Sequence, residues 1–450
     1  MPPLRFERRM SDTEALMWAL EDDPVLRSTF ANVTFLDRTP DLDAFRDRMS
    51  MAIKALPRLR QRVHDAPGIA NPEWVDDPFF DVEFHVRRVG APSPGDERAV
   101  LDLAGQLSVD PFDRARPLWQ FTLVEGLDDG RAAMVQKLHH TITDGEGGVR
   151  LSAMFLDLER DATEPLGGTP EPAIIADEGG SGASAGDMVR SAMKIPIGLA
   201  RGGLETLGSG NPLESIRSLL RQVAVTDPPR SPLWSARSLR RHLEILSIPL
   251  EQAKAAAKAL GGSVNDLFVC GAAGAAGAYH REKGAPVDDL RMAMPISTRT
   301  DKGSGGNAFT PTRMLVPVGI EDPEVRFGAV QAALNVTKAE RAVGLASSVA
   351  GILSPLPNQL LTRFARQQVG TVDFTTSNVR GAPFDLYIAG ARILGNFPIG
   401  PMAGTAFNLT TLSFAGNLDM GCVIDTAAID DPALLKACLV RSFDELLAFS

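Results

Sequence analysis

The chain has 450 residues, a formal net charge of −10, and 44 % hydrophobic against 23 % charged residues. That length calls for two large subdomains, the apolar-to-charged balance is that of a globular protein rather than a disordered one, and the acidic surplus argues against a nucleic-acid footprint. Cys270, Cys422 and Cys438 stand far apart in apolar surroundings, which supports neither a disulfide framework nor a metal knuckle and fits a reducing compartment. The first residues carry charge with no apolar run behind them, unlike a signal peptide. No stretch of about 18 apolar residues occurs, so no spanning helix is expected. The expected location is cytoplasmic, with peripheral attachment to a membrane or lipid droplet left open.

The elements alternate from the start. Ser11 is a candidate N-cap for a helix over Asp12–Leu20. A strand is expected at Ser28–Leu36, a helix at Asp43–Ala55, and strands at Phe79–Val89, Leu118–Gly126 and Arg131–His140. A helix begins near Gly147 and runs to about Leu158. Residues 161–185 then turn rich in Gly, Ser, Pro and Ala, which is a linker composition. Met188–Val223 holds weakly amphipathic pieces, and Pro228–Pro232 is another break. The second half restarts with a strand at His242–Ile248 and a helix at Leu250–Leu260 ended by Gly261-Gly262. A helix from Val264 to about His280 follows. Strands are expected at Leu290–Met294, Thr312–Val318, Asp373–Ser377, Ala391–Phe397 and Ala406–Asp425, and a last helix at Pro432–Ala448. There is no short internal repeat. The reading is α/β, with residues 1–165 and 231–450 as two halves and 166–230 as a flexible crossover.

The sharpest local signal is His139-His140-Thr141-Ile142-Thr143-Asp144-Gly145, which ends an apolar strand and opens a helix. An imidazole there titrates near neutral pH and can act as a base. Gly145 permits a close backbone approach. Three readings compete: a metal site, a satisfied pair of core histidines, and a catalytic base. Neighbouring strand residues point to opposite faces, so the two histidines are poorly placed to share an ion, and no metal is expected.

His-His-x-x-x-Asp-Gly is the signature of acyltransferases related to chloramphenicol acetyltransferase and to peptide-synthetase condensation domains. Within that superfamily the chain resembles the bacterial wax ester synthase/diacylglycerol acyltransferases. Pro117-Leu118-Trp119, Asn265-Asp266, Met10-Ser11, the block Pro57–Arg62 and the block Ser377–Pro383 match that family's blocks in order, from about residue 10 to the C-terminus. The resemblance implies two chloramphenicol-acetyltransferase-like subdomains with an active-site tunnel between them. It implies that His140 takes the proton from an acceptor alcohol, which attacks the thioester of acyl-CoA with no acyl-enzyme. His139, Asp144 and Gly145 complete the motif, and Asn265 is the implied polar helper, against a plain helix-capping role. Pro117, Trp119, Asp266, Asn307, Ser377 and Asn378 are the implied substrate-binding positions. Asp144 is implied to be structural, paired with Arg60 as first choice or Arg299 as second. Acyl-CoA is substrate rather than cofactor, and no cofactor is implied. The acceptor is a fatty alcohol or diacylglycerol, giving wax ester or triacylglycerol.

Weaker signals remain. Gly182–Gly186 fits a hydrolase elbow but sits in the linker, without the preceding strand that motif needs. Residues 187–241 hold nine Lys/Arg against four acids, which suits either an anionic lipid surface or a solvated face. Leu345–Leu361 reads as core or as a lipid channel. Two rivals are a same-fold enzyme with another donor or acceptor, such as a carrier-bound polyketide chain, and a lipid-binding protein that has lost turnover.

Overall fold

The computed structural model describes residues 5–66, 70–143, 145–168, 174–176, 228–297, 309–341 and 358–450. Two six-stranded mixed sheets dominate it. Helices flank them, as expected for two α/β halves.

The first sheet runs Tyr387–Ile388, Ala391–Ile399, Thr29–Leu36, Ala132–His139, Trp119–Glu125, Val86–Gly90. The second runs Phe309–Pro317, Asp289–Ser297, Phe374–Arg380, Phe407–Phe414, Asn417–Asp425, Arg241–Pro249. The boundary drawn from composition therefore does not separate the sheets. A crossing arm, Ala391–Ile399, leaves the second half and pairs antiparallel with Thr29–Leu36 of the first, Phe397 opposite Val33. The arm also rests on the second sheet, where the Asn396 amide donates to Asp419 Oδ2 at 2.8 Å.

Three apolar cores result. Phe45, Met49, Trp119, Phe121 and Phe155 fill the first half. Leu267, Phe268, Phe374, Phe407 and Leu439 fill the second. The third core joins the halves, with Val33, Phe35 and Leu101 meeting Leu243, Phe397 and Val423. A smaller contact adds to it: Leu361, in the helix Asn358–Val369, packs on Leu16 and Leu20 of the helix Asp12–Leu20. Arg366 of that later helix binds the Asp23 carboxylate, its Nη2 at 3.0 Å.

Ser11 caps the first helix as read, closing a capping box with Glu14. Several elements differ from the sequence reading. Phe79–Val89 is a helical turn, Val82–His85, followed by a shorter strand, Val86–Gly90. The helix after the histidine motif ends at Ser152. Ala406–Asp425 is two strands joined at Ala415-Gly416, where both residues take positive φ. Of the expected linker, Ile174–Ala176 forms a parallel pair with Arg5–Glu7. Residues 169–173 and 177–227 lie outside the described residues, and so do Gly182–Gly186 and most of the basic stretch. Within the described end of that stretch, Arg237 Nε donates to the Gly404 carbonyl at 2.6 Å, and Arg241 lies 3.5 Å from Asp425. These two arginines brace the second half. No helix among the described residues is long and apolar enough to cross a membrane.

Candidate active site

The motif strand Ala132–His139 is buried along its whole length and lies between Thr29–Leu36 and Trp119–Glu125. It ends at His139, so His140 is the first residue of a turn. The helix Gly145–Ser152 follows.

His139 is fully buried. Its Nδ1 accepts the Thr141 amide at 3.1 Å and lies 2.7 Å from Thr141 Oγ1. An accepting Nδ1 assigns the ring proton to Nε2, which donates to Glu21 Oε2 at 2.8 Å. The His139 amide donates to the Leu118 carbonyl at 3.0 Å. His139 is thus bound on three sides within the protein.

His140 is half-buried, and its ring stands 4.5 Å from that of Phe30. Its amide donates to the Ser28 carbonyl at 2.9 Å. A Cβ placed on Gly148 of the motif helix would lie 3.9 Å from the Phe30 ring, at ordinary van der Waals distance, so that helix runs alongside the ring. The helix packs in turn on the strand Phe374–Arg380, which carries Ser377 and Asn378. Asn378 Nδ2 donates to Asn265 Oδ1 at 3.3 Å. A strand of the second half therefore adjoins the helix that follows the histidine turn.

The remaining expected positions divide. Asn265 does not cap its helix: Ser263 does, with Asp266 completing a capping box at 2.8 Å from the Ser263 amide. Trp119 is fully buried, its indole donating to the Leu59 carbonyl at 2.8 Å and its ring stacked 4.5 Å from His85. It begins the strand that pairs with the motif strand. Pro117 immediately precedes Leu118, whose carbonyl receives the His139 amide. Arg60 donates to the Ile53 carbonyl at 3.1 Å and stands 3.6 Å from Asp76. The deeply buried arginine of that block is Arg58, its guanidinium 4.5 Å from the Trp74 ring. Asp144, Arg299, Asn307 and residues 345–357 lie outside the described residues.

Electrostatics around the motif follow burial. Burial pushes the Lys137 ammonium down to about 8, and its Nζ donates to the Asp110 carbonyl at 2.6 Å. The Cys270 thiol is pushed up to about 11 by burial, against any role as a nucleophile. No group of three or more His, Cys, Asp or Glu among the described residues could hold a metal. A cavity of about 150 Å³ lies between the halves, lined by Arg27, Thr29, Arg241, Met402 and Val423 among others. Its wall reaches Thr29, the register partner of His139, and His140 is not part of the lining. A larger groove of about 750 Å³, along Glu97, Arg98, Lys436 and Asp444, contains none of the expected site residues. Glu21, Ser28, Phe30 and Thr141 were missed from sequence. Glu21 lies 118 positions from His139, and no local pattern joins them.

Comparison with known proteins places this geometry. The fold matches the wax ester synthase/diacylglycerol acyltransferase from Marinobacter aquaeolei VT8 at a TM-score of 0.67 and 22 % identity, over 97 % of this chain and 98 % of that one. It also matches the first condensation domain of the calcium-dependent antibiotic synthetase, at a TM-score of 0.60 and 15 % identity over 98 % and 95 %. Both likenesses are of fold, and they agree with the two-sheet α/β architecture described above. The model of the wax ester synthase/diacylglycerol acyltransferase catalytic domain matches residues 10–268, that of the family's C-terminal domain matches residues 305–447, and the chain belongs to this family. Among curated relatives, a Mycobacterium tuberculosis (H37Rv) protein provisionally named a diacylglycerol O-acyltransferase is 37 % identical over 99 % of this chain and 93 % of its own. A second from the same organism, named likewise, is 29 % identical over 98 % and 97 %.

Proposed function

We propose that this chain transfers a long-chain acyl group from acyl-CoA to a lipid hydroxyl, with His140 as general base. His140 takes the hydroxyl proton as the oxygen attacks the thioester carbonyl. The new C–O bond forms, the C–S bond breaks, and the departing CoA sulfur recovers the proton from the imidazolium. A thioester is already activated, so no acyl-enzyme is required. Base assistance of this kind contributes roughly 10²–10⁴-fold, and holding both substrates together supplies more. Asn265, bonded to Asn378 beside the motif helix, is the proposed polar helper at the thioester oxygen. The relatives' names favour diacylglycerol as acceptor and triacylglycerol as product, with a fatty alcohol and wax ester as the alternative.

The observation that carries this reading is the split between adjacent histidines. Every ring nitrogen of His139 is engaged by Glu21 and Thr141, while His140 begins the turn, half-buried against the Phe30 ring. The purified chain with long-chain acyl-CoA should form ester with dioleoylglycerol or hexadecanol offered in parallel. His140→Ala should abolish ester formation and leave the melting temperature nearly unchanged. A fully active His140→Ala protein rules out the base, and CoA release without ester rules out the transferase.

A further inference from the structure

We propose that Glu21 is the positioning residue of this active site, holding the histidine turn from both sides through one buried carboxylate oxygen. The inference rests on His140 being the base.

Glu21 sits immediately after the helix Asp12–Leu20, as its C-cap. A carboxylate there faces the negative end of the helix dipole, so helix stability does not account for it. It is also only 6 % exposed, and burying a carboxylate is costly unless donors compensate. Two neutral donors compensate one of its two oxygens. Glu21 Oε2 accepts the His139 Nε2 proton at 2.8 Å and the Ser28 amide at 3.1 Å. Arg27 adds a weaker contact, its Nε 4.0 Å from Oε1.

Each donor leads to His140. Ser28 returns its carbonyl to the His140 amide at 2.9 Å. His139, with its proton fixed on Nε2, offers Nδ1 to the Thr141 amide at 3.1 Å. The residues on either side of His140 in the network, Ser28 and Thr141, are therefore both set by the same carboxylate. With Glu21 removed, His139 is free to carry its proton on Nδ1. That tautomer presents an N–H to the Thr141 N–H, and the turn must shift. A displacement of about 1 Å at a base can cost about 100-fold in rate.

The test uses the full chain and the acyl-CoA and dioleoylglycerol assay, below the melting temperature of every variant. Glu21→Ala should lower kcat by about 100-fold while KM for acyl-CoA changes by less than about twofold, because the turn and not the binding surface moves. Glu21→Gln keeps an oxygen able to accept both N–H groups, and should recover most of kcat. Nitrogen-15 NMR of the histidines should show His139 as the Nε2–H tautomer in the wild type and Glu21→Gln, and a mixture in Glu21→Ala. Should Glu21→Ala not fold, Glu21→Asp, which withdraws the carboxylate by one methylene, should show the same kcat loss and tautomer mixing. Unchanged kcat in a folded Ala or Asp variant overturns the proposal. So does a Gln variant as slow as Ala with an unchanged tautomer. Adding Glu21→Ala to His140→Ala should cost nothing further, since Glu21 acts through His140; an additional loss contradicts that route. If His140→Ala alone keeps full activity, the base assignment fails, and the His139 tautomer still decides separately whether Glu21 fixes the ring.

Discussion

Two side chains of one type, next to each other in sequence, take different environments because the strand stops between them. His139 remains in the sheet and is absorbed by hydrogen bonds, whereas His140 begins the turn. The motif was legible because its residues are contiguous and their chemistry is unusual in an apolar strand. Its support was not, because Glu21 and Ser28 reach it only through the fold. A third histidine shows how strongly burial sets protonation here. His85 lies between Phe80 and Trp119, with ring centroids 5.3 and 4.5 Å away, and its Nδ1 donates to the Trp119 carbonyl at 2.7 Å. Burial lowers it to about 4, helped by the charges of Arg116 and Arg87. In the unfolded chain it titrates near 6.5. Between these values the unfolded chain takes up a proton that the folded chain refuses. The contribution is therefore complete above about pH 6.5 and is lost as pH falls towards 4, amounting to roughly 3 kcal/mol. Lowering the pH from 7 to 4.5 should cost the wild type about 2–2.5 kcal/mol more stability than it costs His85→Phe, read by denaturant unfolding. Parallel curves would assign the acid sensitivity to other groups.

Elements with strong caps or long periodic runs were readable, and those whose ends depend on packing were not. The helix Val264–Glu282 was readable from its start at Val264, although its cap is Ser263 with Asp266 and not Asn265. The helix Glu97–Val109 was missed although Asp96 caps it, its side chain accepting the Ala99 amide at 2.9 Å, because its apolar residues follow a Pro- and Gly-rich loop. The hairpin at Ala415-Gly416 was read as one strand because both of its arms are apolar and alanine does not advertise a φ of 43°. Glycines inside helices carry a similar ambiguity that only packing resolves. A Cβ on Gly277 would lie 1.8 Å from the Val318 carbonyl oxygen, which belongs to the backbone and cannot swing away. A Cβ on Gly328, in the helix Pro323–Arg341, meets nothing within 4 Å. Helix propensity favours Ala over Gly by roughly 1 kcal/mol at both. Gly328→Ala should therefore stabilise by about 0.5–1 kcal/mol, and Gly277→Ala should destabilise by about 2 kcal/mol or more. Chemical denaturation of the two variants checks the opposite signs; equal signs would mean that the helix Val264–Glu282 and the backbone at Val318 are not packed this closely.

At the scale of the whole molecule, the sequence suggested two halves but not how they are joined. Ala391–Phe397 was correctly read as a strand, and nothing in its pattern says which sheet it enters. Strand pairing is decided by partners hundreds of positions away, here Ala31–Leu36. The crossing arm lies so close to the second sheet that a Cβ on Gly421 would stand 2.0 Å from the Pro398 carbonyl oxygen. Asp419, two residues earlier, is 2 % exposed and accepts both the Asn396 amide and the Ser247 hydroxyl, at 2.8 and 2.7 Å. The arm also supplies Phe397 and Ile399 to the core shared by both halves. A chain of this length would ordinarily unfold in separate steps. A shared core and an exchanged strand oppose that, because neither half keeps its buried surface once the other has opened. Calorimetry should accordingly show one transition, with equal calorimetric and van't Hoff enthalpies. Gly421→Ala should lower that single transition by about 1–3 kcal/mol, through the overpacking of arm against sheet. It should also reduce activity, since the arm pairs with the strand that contains Phe30, the ring beside His140. Two resolved transitions in the wild type, or a Gly421→Ala variant that melts and turns over like the parent, would show that the arm is a surface attachment and that the halves are held together by something else.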